Sequence, residues 1–580
     1  MAQYFSPGVY VEEYDNSPRS IEGIGTSVAG FIGLAEKGQT VGAPVRITSY
    51  RNFVKEFGGP LSEFAYGEYR YLAPSVEQFF ANGGSSCYVA RVIPADAKKA
   101  SVKKGILSFE AANEGKWGNK IQILLNTVTK RKMQLVGKTG DAYVAKTVEG
   151  FREGDLVLAG KEYNRIKSIF DNTITFEVPF KKEVVDTALI PTTVVYLVET
   201  DMSIRYADEA ENYSGLSFNI ANPNYISYRL ANSELVKLTA APLDKIQNPV
   251  EAILGEGNTS GMFTLDGGQD GSIREVNAGT FIGVDNGPGK RTGLASFEEN
   301  NRVSLMAIPG ITIPEVIVAL VGQCENLKDR FAVIDMPKDL YKTKDLLQYR
   351  EMIDSTYAAM YHPWIQVFDR SSNQPDFVPP SGAVLGVYSR TDLNRGVHKA
   401  PANETVFCTG LQVNYTKAEQ DILNPAGVNL IRALPGQGIR VWGARTASSN
   451  SNFKYVNVRR LFIFVEESIK AATNWVVFEP NDATLWQRVQ MTVGSFLDNL
   501  WRTGMLAGGS ASEAYFVEIG PSTMSRDDIM NGRLVCNIGI APSRPAEFVV
   551  FRVTQHTAEA GGGEGGEEYS INNKLMQRRL

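Results

Sequence analysis

Two separated blocks of the chain share one order of elements, a near-continuous apolar strand followed by a helix and then a second apolar strand. Val28 to Leu34 is apolar almost throughout, a helical stretch near Pro74 to Ala81 stops at Asn82-Gly83-Gly84, and Cys87 to Val92 is apolar again. Strands without polar alternation are buried on both faces, and this order of elements builds a parallel sheet covered by helices. The alternation returns at Val303 to Ile308, Phe331 to Met336, a helix from about Lys344 to Met360, and Trp364 to Phe368. The expected fold is therefore an α/β core domain, a sheet with flanking helices, built from both ends of the chain, 21–98 and 300–553.

Between those blocks the pattern changes. Ile121 to Leu125, Asp155 to Leu158, Thr173 to Phe176 and Thr192 to Val198 are β-branched runs divided by Gly, Asn and Asp, the mark of short strands joined by turns. Residues 99–299 are expected to form one or two inserted β-rich domains, with a second insertion at about 128–200 shaped as a small barrel. Past the sheet, Asn481-Asp482 can cap a run in which Leu485, Trp486, Val489, Val493, Phe496, Leu497, Leu500 and Trp501 share one broad face, ending at Gly504. That spacing predicts an amphipathic helix.

The two ends read as arms. Residues 1–20 hold Ser6-Pro7-Gly8, then Val9-Tyr10-Val11 with Glu12 and Glu13, then Ser17-Pro18, with no helical period. Twenty extended residues reach about 66 Å, comparable with the diameter of a compact globule of this length, whose radius of gyration is about 25 Å. From 554 to 580 the glycine-rich stretch Gly561 to Gly566 leads to Tyr569, Ile571 and Arg578-Arg579, a flexible C-terminal arm. Two arms on a chain with a well-formed core are what strand exchange between subunits requires, because an extended segment gains stability by adding to a neighbour's open sheet edge.

Composition excludes several classes. The 580 residues are 43% hydrophobic and 21% charged, the balance of an ordinary globular chain. Fifty-nine Lys and Arg against sixty-four Asp and Glu give a net charge of −5, which leaves no basic excess for a nucleic-acid backbone. Cys87, Cys324, Cys408 and Cys536 are each more than 80 residues from the next, neither a disulfide framework nor a zinc site, and read as buried thiols of a reducing compartment. The start has no leader-like apolar core, and the apolar stretch Val303 to Val321 is broken by Pro309, Pro314 and Glu315, so neither secretion nor membrane insertion is expected.

Catalytic constellations are scarce. His362, His398 and His556 are the three histidines, and none lies in a metal-ligand spacing. Gly137-Lys138-Thr139 is similar to the end of a phosphate loop, but Lys132 stands where the first glycine belongs, so a β-hairpin is expected there. Gly23-Ile24-Gly25 precedes a strand instead of following one, which reads as a flexible turn. Asp335 and Asp369 end two runs read as parallel strands, where α/β enzymes place acids. An α/β nucleotide-binding enzyme using Asp335 and Asp369 is the alternative reading; the plainer one is that both carboxylates cap the segments after them. Arg459-Arg460 admits a phosphate contact or an ion-pairing helix face.

The motifs, taken in order, resemble the contractile tail sheath proteins of bacteriophages, R-type bacteriocins and related injection systems. They include Pro7 to Glu13, Thr26-Ser27-Val28-Ala29-Gly30-Phe31-Ile32-Gly33, Phe79 to Gly84 before Tyr88 to Val92, Gly115 to Asn119 and Leu265 to Gly271. The densest agreement is C-terminal: Pro379 to Gly382, Arg395 to Asn403, Leu423-Asn424 with Gly427 to Asn429, Trp442 to Thr446, Tyr455 to Arg460 and Phe478 to Asn481. His398 stands where an aromatic is expected, and residues 126–200 match no part of the pattern.

The resemblance implies a structural subunit, not an enzyme, that needs no cofactor. It implies self-assembly as stacked hexameric rings around an inner tail tube protein, bounded by baseplate and tail terminator proteins, in a virion or phage-tail-like particle assembled in the bacterial cytoplasm. Val9, Tyr10, Val11, Glu12 and Glu13 of one arm, and Val553, Thr554, Tyr569 and Ile571 of the other, would link subunits. The helix from Asp482 to Thr503, with Gln487, Arg488 and Asp498 off its apolar face, would lie near the tube.

Overall fold

The computed structural model describes residues 21–181, 184, 190–369 and 372–550. Val9 to Glu13 and Val553, Thr554, Tyr569 and Ile571, expected to link subunits, lie outside the described residues. The chain divides into two compact units, 1–544 and 545–580. All the helices and strands below belong to the first, and residues 545–550 of the second carry neither.

A nine-stranded sheet organises the first unit, in the order Val45–Ile47, Cys87–Val92, Ala29–Leu34, Leu305–Ala307, Phe331–Asp335, Ala358–His362, Val428–Leu434, Gly438–Val441 and Glu404–Thr405. Its middle, from Cys87–Val92 through Val428–Leu434, is parallel, and the strands beyond are antiparallel. All six residues of Ala29–Leu34 are buried, because helices cover both faces. One face holds Phe31, Phe53, Phe79 and Tyr388, the other Ile32, Phe297, Leu320 and Met360.

Close packing on the first face depends on glycine. A Cβ at Gly382 would lie 2.2 Å from the Ser75 carbonyl oxygen, and one at Gly386 would lie 2.5 Å from that of Phe79. Helices Leu72–Ala81 and Ser381–Arg395 therefore meet backbone to side, which no larger residue at these positions permits.

One sequence expectation fails here. The helix read from about Lys344 to Met360 ends at Arg350, and Ala358–His362 is a parallel strand. The strand read at Trp364 to Phe368 lies instead in a separate antiparallel sheet of Gln374–Val378, Ile365–Asp369 and Gly410–Leu411. Pro363 explains the break, since a residue without an N–H cannot continue a central ladder.

Residues 99–299 carry two antiparallel sheets and a barrel. The sheets are Val236–Ala240, Leu107–Ala111, Ser101–Lys104 and Glu209–Leu216, Glu199–Tyr206, Gln122–Val128, Ser260–Thr264. The barrel closes through six strands, Glu162–Phe170, Thr173–Phe176, Ala142–Ala145, Lys132–Thr139, Val194–Leu197 and Leu156–Ala159, around Leu135, Val157, Ile174 and Val195. It leaves and re-enters the four-stranded sheet at one point, since Val128 pairs with Glu199. Buried Arg165 ties it down, donating to the carbonyls of Gly154, Leu243 and Ile246.

Candidate subunit-coupling site

Two regions compete for the functional site, the carboxyl ends of the parallel strands and the C-terminal helical module. At the first, Asp335 is 3% exposed. Its carboxylate accepts from the Gly310 N–H at 3.0 Å, the Ser381 N–H at 2.7 Å and the Ser381 hydroxyl at 2.7 Å. Burial pushes its carboxyl up to about 6, against the pull of those three donors. Asp335 thus caps helix Ser381–Arg395 and not the segment after it, and just past the strand the Trp364 indole donates to the Met336 carbonyl, with Tyr71 edge-on to it.

Asp369 lies in the antiparallel sheet and accepts from Ser372 at 2.7 Å. The structure does not join these two acids on one sheet edge. The two acids end strands of different sheets, and Asp335 is committed to backbone and hydroxyl donors.

The other sequence candidates also resolve. Lys138 lies in a barrel strand that pairs with Ala142–Ala145, its ammonium over the Tyr143 ring, so the hairpin reading holds. His362 is fully buried against Tyr415, and His398 is half-buried beside Met505, near Gly396. Arg459 is held between the rings of Phe453 and Tyr357, and Arg460 is paired with Asp392. These are packing and ion-pairing roles. Among the described residues, no group of three or more His, Cys, Asp or Glu has metal-binding geometry, and no helix is long and apolar enough to cross a membrane.

The C-terminal module is built on two helices, Val456–Ala472 and Ala483–Arg502. Asp482 caps the second, accepting the Leu485 N–H at 2.9 Å, and Leu485, Val489, Val493, Phe496, Leu497 and Leu500 are buried along one face. On that face lies a two-stranded antiparallel sheet, Tyr515–Ile519 with Cys536–Ile540. Tyr515, Val517, Ile519, Ile538 and Ile540 turn towards the helices. Phe516 is on the other face, 53% exposed, its ring lying over Gly539, where a Cβ would come within 2.1 Å of it.

The edges of this sheet are the distinctive feature. Neither strand has an outer partner strand among the described residues. The Val517 carbonyl accepts from Gln490 at 3.1 Å, and Ala541 donates to the Ala514 carbonyl inside the pair. Val517 and its opposite, Ile538, therefore form a non-hydrogen-bonded pair whose N–H and C=O groups point outward. Sequence reasoning missed this sheet, although the alternation of Tyr515 to Ile519 was its signal.

Of the helix residues singled out earlier, Gln487 and Arg488 are exposed. Arg488 lies over the Trp475 ring at 4.6 Å. Asp498 is half-buried, accepting from Arg502 at 2.6 Å and from the Tyr515 hydroxyl at 3.5 Å.

Comparison with known proteins places this architecture. Residues 286–447 match the phage tail sheath protein central domain, and residues 448–556 match the phage tail sheath C-terminal domain. A prophage major tail sheath protein of Pseudomonas aeruginosa is 26% identical over 292 residues, 48% of this chain and 73% of that one. The tail sheath protein of Escherichia phage P2 is 24% identical over 287 residues, 47% of this chain and 69% of its own length. The sheath of an extracellular contractile injection system, the PVC complex in its contracted state, superposes with a TM-score of 0.51 at 21% identity, covering 96% of this chain and 99% of that one.

The fold is thus that of a contractile sheath subunit, and the module with the open-edged sheet falls within the sheath C-terminal domain. Residues 286–556 carry the central and C-terminal domains of phage tail sheath proteins.

Proposed function

We propose that this chain is the structural subunit of a contractile tail sheath. It polymerises as stacked hexameric rings around an inner tube and contracts to drive that tube through a target cell envelope. The observation that carries this reading is the two-stranded sheet Tyr515–Ile519 and Cys536–Ile540, packed on a helical face with no strand on either outer edge among the described residues. An isolated pair of strands is marginal by itself, and an arm from another subunit completes it by main-chain pairing, which is the same whatever the side chains.

In this reading residues 1–20 and 554–580 are the donating arms, 21–98 with 300–553 is the core, and 99–299 is the inserted β-rich part with its barrel. Contraction turns and slides near-rigid subunits while the arms stay paired. The partners are other copies of the chain, the inner tube protein, and baseplate and terminator proteins, in a phage-tail-like particle assembled in the bacterial cytoplasm. The exposed face of Ala483–Arg502, with Gln487, Arg488 and Asp498, is assigned to the tube, because a surface that must release suits polar contacts.

Electron microscopy of negatively stained protein tests this. The full chain is expected to form hollow, helically striated tubes, and the chain lacking residues 1–20 to remain as folded single subunits. Discrete particles from the full chain, or tubes from the truncated one, overturn the reading. Charge reversal at Arg488 should abolish co-assembly with the tube protein and spare empty tubes; unchanged co-assembly removes the helix assignment.

A further inference from the structure

The described chain begins at the root of the N-terminal arm, and that root is clamped. Ile21 and Ile24 pack into the apolar cluster of the C-terminal module, and a Cβ at Gly23 would lie 2.7 Å from the Phe464 ring. The Ile24 N–H donates to the Ser468 hydroxyl at 3.1 Å. The segment read as a flexible turn from Gly23-Ile24-Gly25 is therefore held along helix Val456–Ala472.

Two residues further on lies a buried polar centre. Arg460 and Asp392, with side chains 3% and 5% exposed, form a two-pronged ion pair. Both also grip the backbone or side chain of Thr26. Arg460 donates to the Thr26 carbonyl at 2.9 Å, and the Thr26 hydroxyl donates to Asp392 at 2.6 Å. Ser389 adds a bond to the Ser27 carbonyl at 2.8 Å. The Val28 carbonyl then accepts from Ser304 and Leu305, and Ala29 opens the central parallel strand. The guanidinium lies 4.8 Å from the Tyr388 ring centre, which fixes its plane.

A buried ion pair is a weak source of stability, since the cost of desolvating two charges offsets their attraction. Its value is geometric, because a guanidinium with several fixed acceptors holds one arrangement. Here that arrangement joins three pieces far apart in sequence: the arm's root, helix Ser381–Arg395 and helix Val456–Ala472.

We propose that Arg460 and Asp392 anchor the N-terminal arm, positioning its exit from the subunit and passing tension on the arm into the central sheet and the C-terminal module together. This rests on the strand-exchange reading above. An arm that stays paired through contraction must be fixed at its root, or a pull between subunits would peel residues 21–28 away before it moved the core. Arg460 and Asp392 are positioning residues; neither contacts the neighbouring subunit in this scheme.

Two variants test it in the full-length chain. Arg460→Met with Asp392→Leu replaces the pair by apolar groups of similar size, and Thr26→Val with Ser389→Ala and Ser468→Ala keeps the pair but strips the other side-chain ties. Hydrogen exchange on dilute subunits is expected to show residues 21–28 exchanging about tenfold faster or more, while the central strands change by less than about twofold.

Tubes of either variant should then break to shorter lengths under a fixed shear than wild-type tubes do. Residues 21–28 remaining protected in both variants overturns the proposal, as does their release with unchanged tube length. If the double variant does not fold, the triple variant decides by the same readouts. The chain lacking residues 1–20 separates the two ideas. Normal polymerisation of that chain defeats strand exchange itself, whereas loss of polymerisation there with wild-type behaviour of the anchor variants defeats only the anchor.

Discussion

His362 carries the clearest consequence at the scale of single residues. It is fully buried at the end of strand Ala358–His362. Its Nε2 lies 2.9 Å from the Tyr415 hydroxyl, which in turn donates to the Tyr341 carbonyl at 3.1 Å. Nδ1 has no partner, so an added proton would be buried unpaired, and burial pulls the imidazole down to about 4. A folded-state value below the unfolded one means that the contribution is complete above the unfolded value of 6.5 and is lost as pH falls through about 4. At pH 5 the loss amounts to about 2 kcal/mol. Urea denaturation at pH 7.5 and pH 5 should show that His362→Phe removes this part of the acid sensitivity while costing little at pH 7.5. An unchanged pH dependence would mean that the histidine is not buried as a neutral ring. Asp335 shows how little of such chemistry is visible in sequence. An acid at a strand end looks the same whether it faces a substrate or caps a helix that starts 46 residues later.

Among the elements, the two-stranded sheet is where folding and the proposed assembly can be tested apart. Because Ile538 points its N–H away from Tyr515–Ile519, proline there removes a donor from the outer edge and no bond from the pair. Ile538→Pro should lower the urea midpoint modestly, through lost packing of the isoleucine, yet abolish tube formation as seen by sedimentation. Tubes of normal length from this variant would assign the acceptor edge elsewhere. The sequence made the helix beside this sheet legible, since Asp482, the buried leucines and Gly504 mark its start, face and end locally. It left the sheet unread because five alternating residues are a weak signal and their partner strand begins at Cys536, beyond an intervening turn and helix Arg526–Met530. Ala358–His362 was hidden for the opposite reason. Ala358, Ala359 and Met360 favour helix as isolated residues, and burial between two parallel strands overrides that preference.

In the whole molecule, the barrel is joined so that it can be removed. Val128 and Glu199 are direct partners in an antiparallel pair whose register continues to Gln122 and Arg205, so the barrel occupies the place of a hairpin turn. An Asn-Gly dipeptide in place of residues 129–198 suits the twist of those strands. The excision costs the bonds of Arg165 to Leu243 and Ile246 and uncovers apolar surface where Leu156, Leu158 and Tyr163 pack on the layer below. The shortened subunit should therefore unfold at a lower temperature. Its nine-stranded sheet, the clamp at Thr26 and the open-edged sheet contain no residue of the barrel, so tube formation should persist, with a critical concentration within about threefold of the full chain, less than 1 kcal/mol. Light scattering against concentration measures this directly. A subunit that folds without the barrel but no longer polymerises would make the barrel part of the lattice contact, and the sheath would then be held by more than its arms.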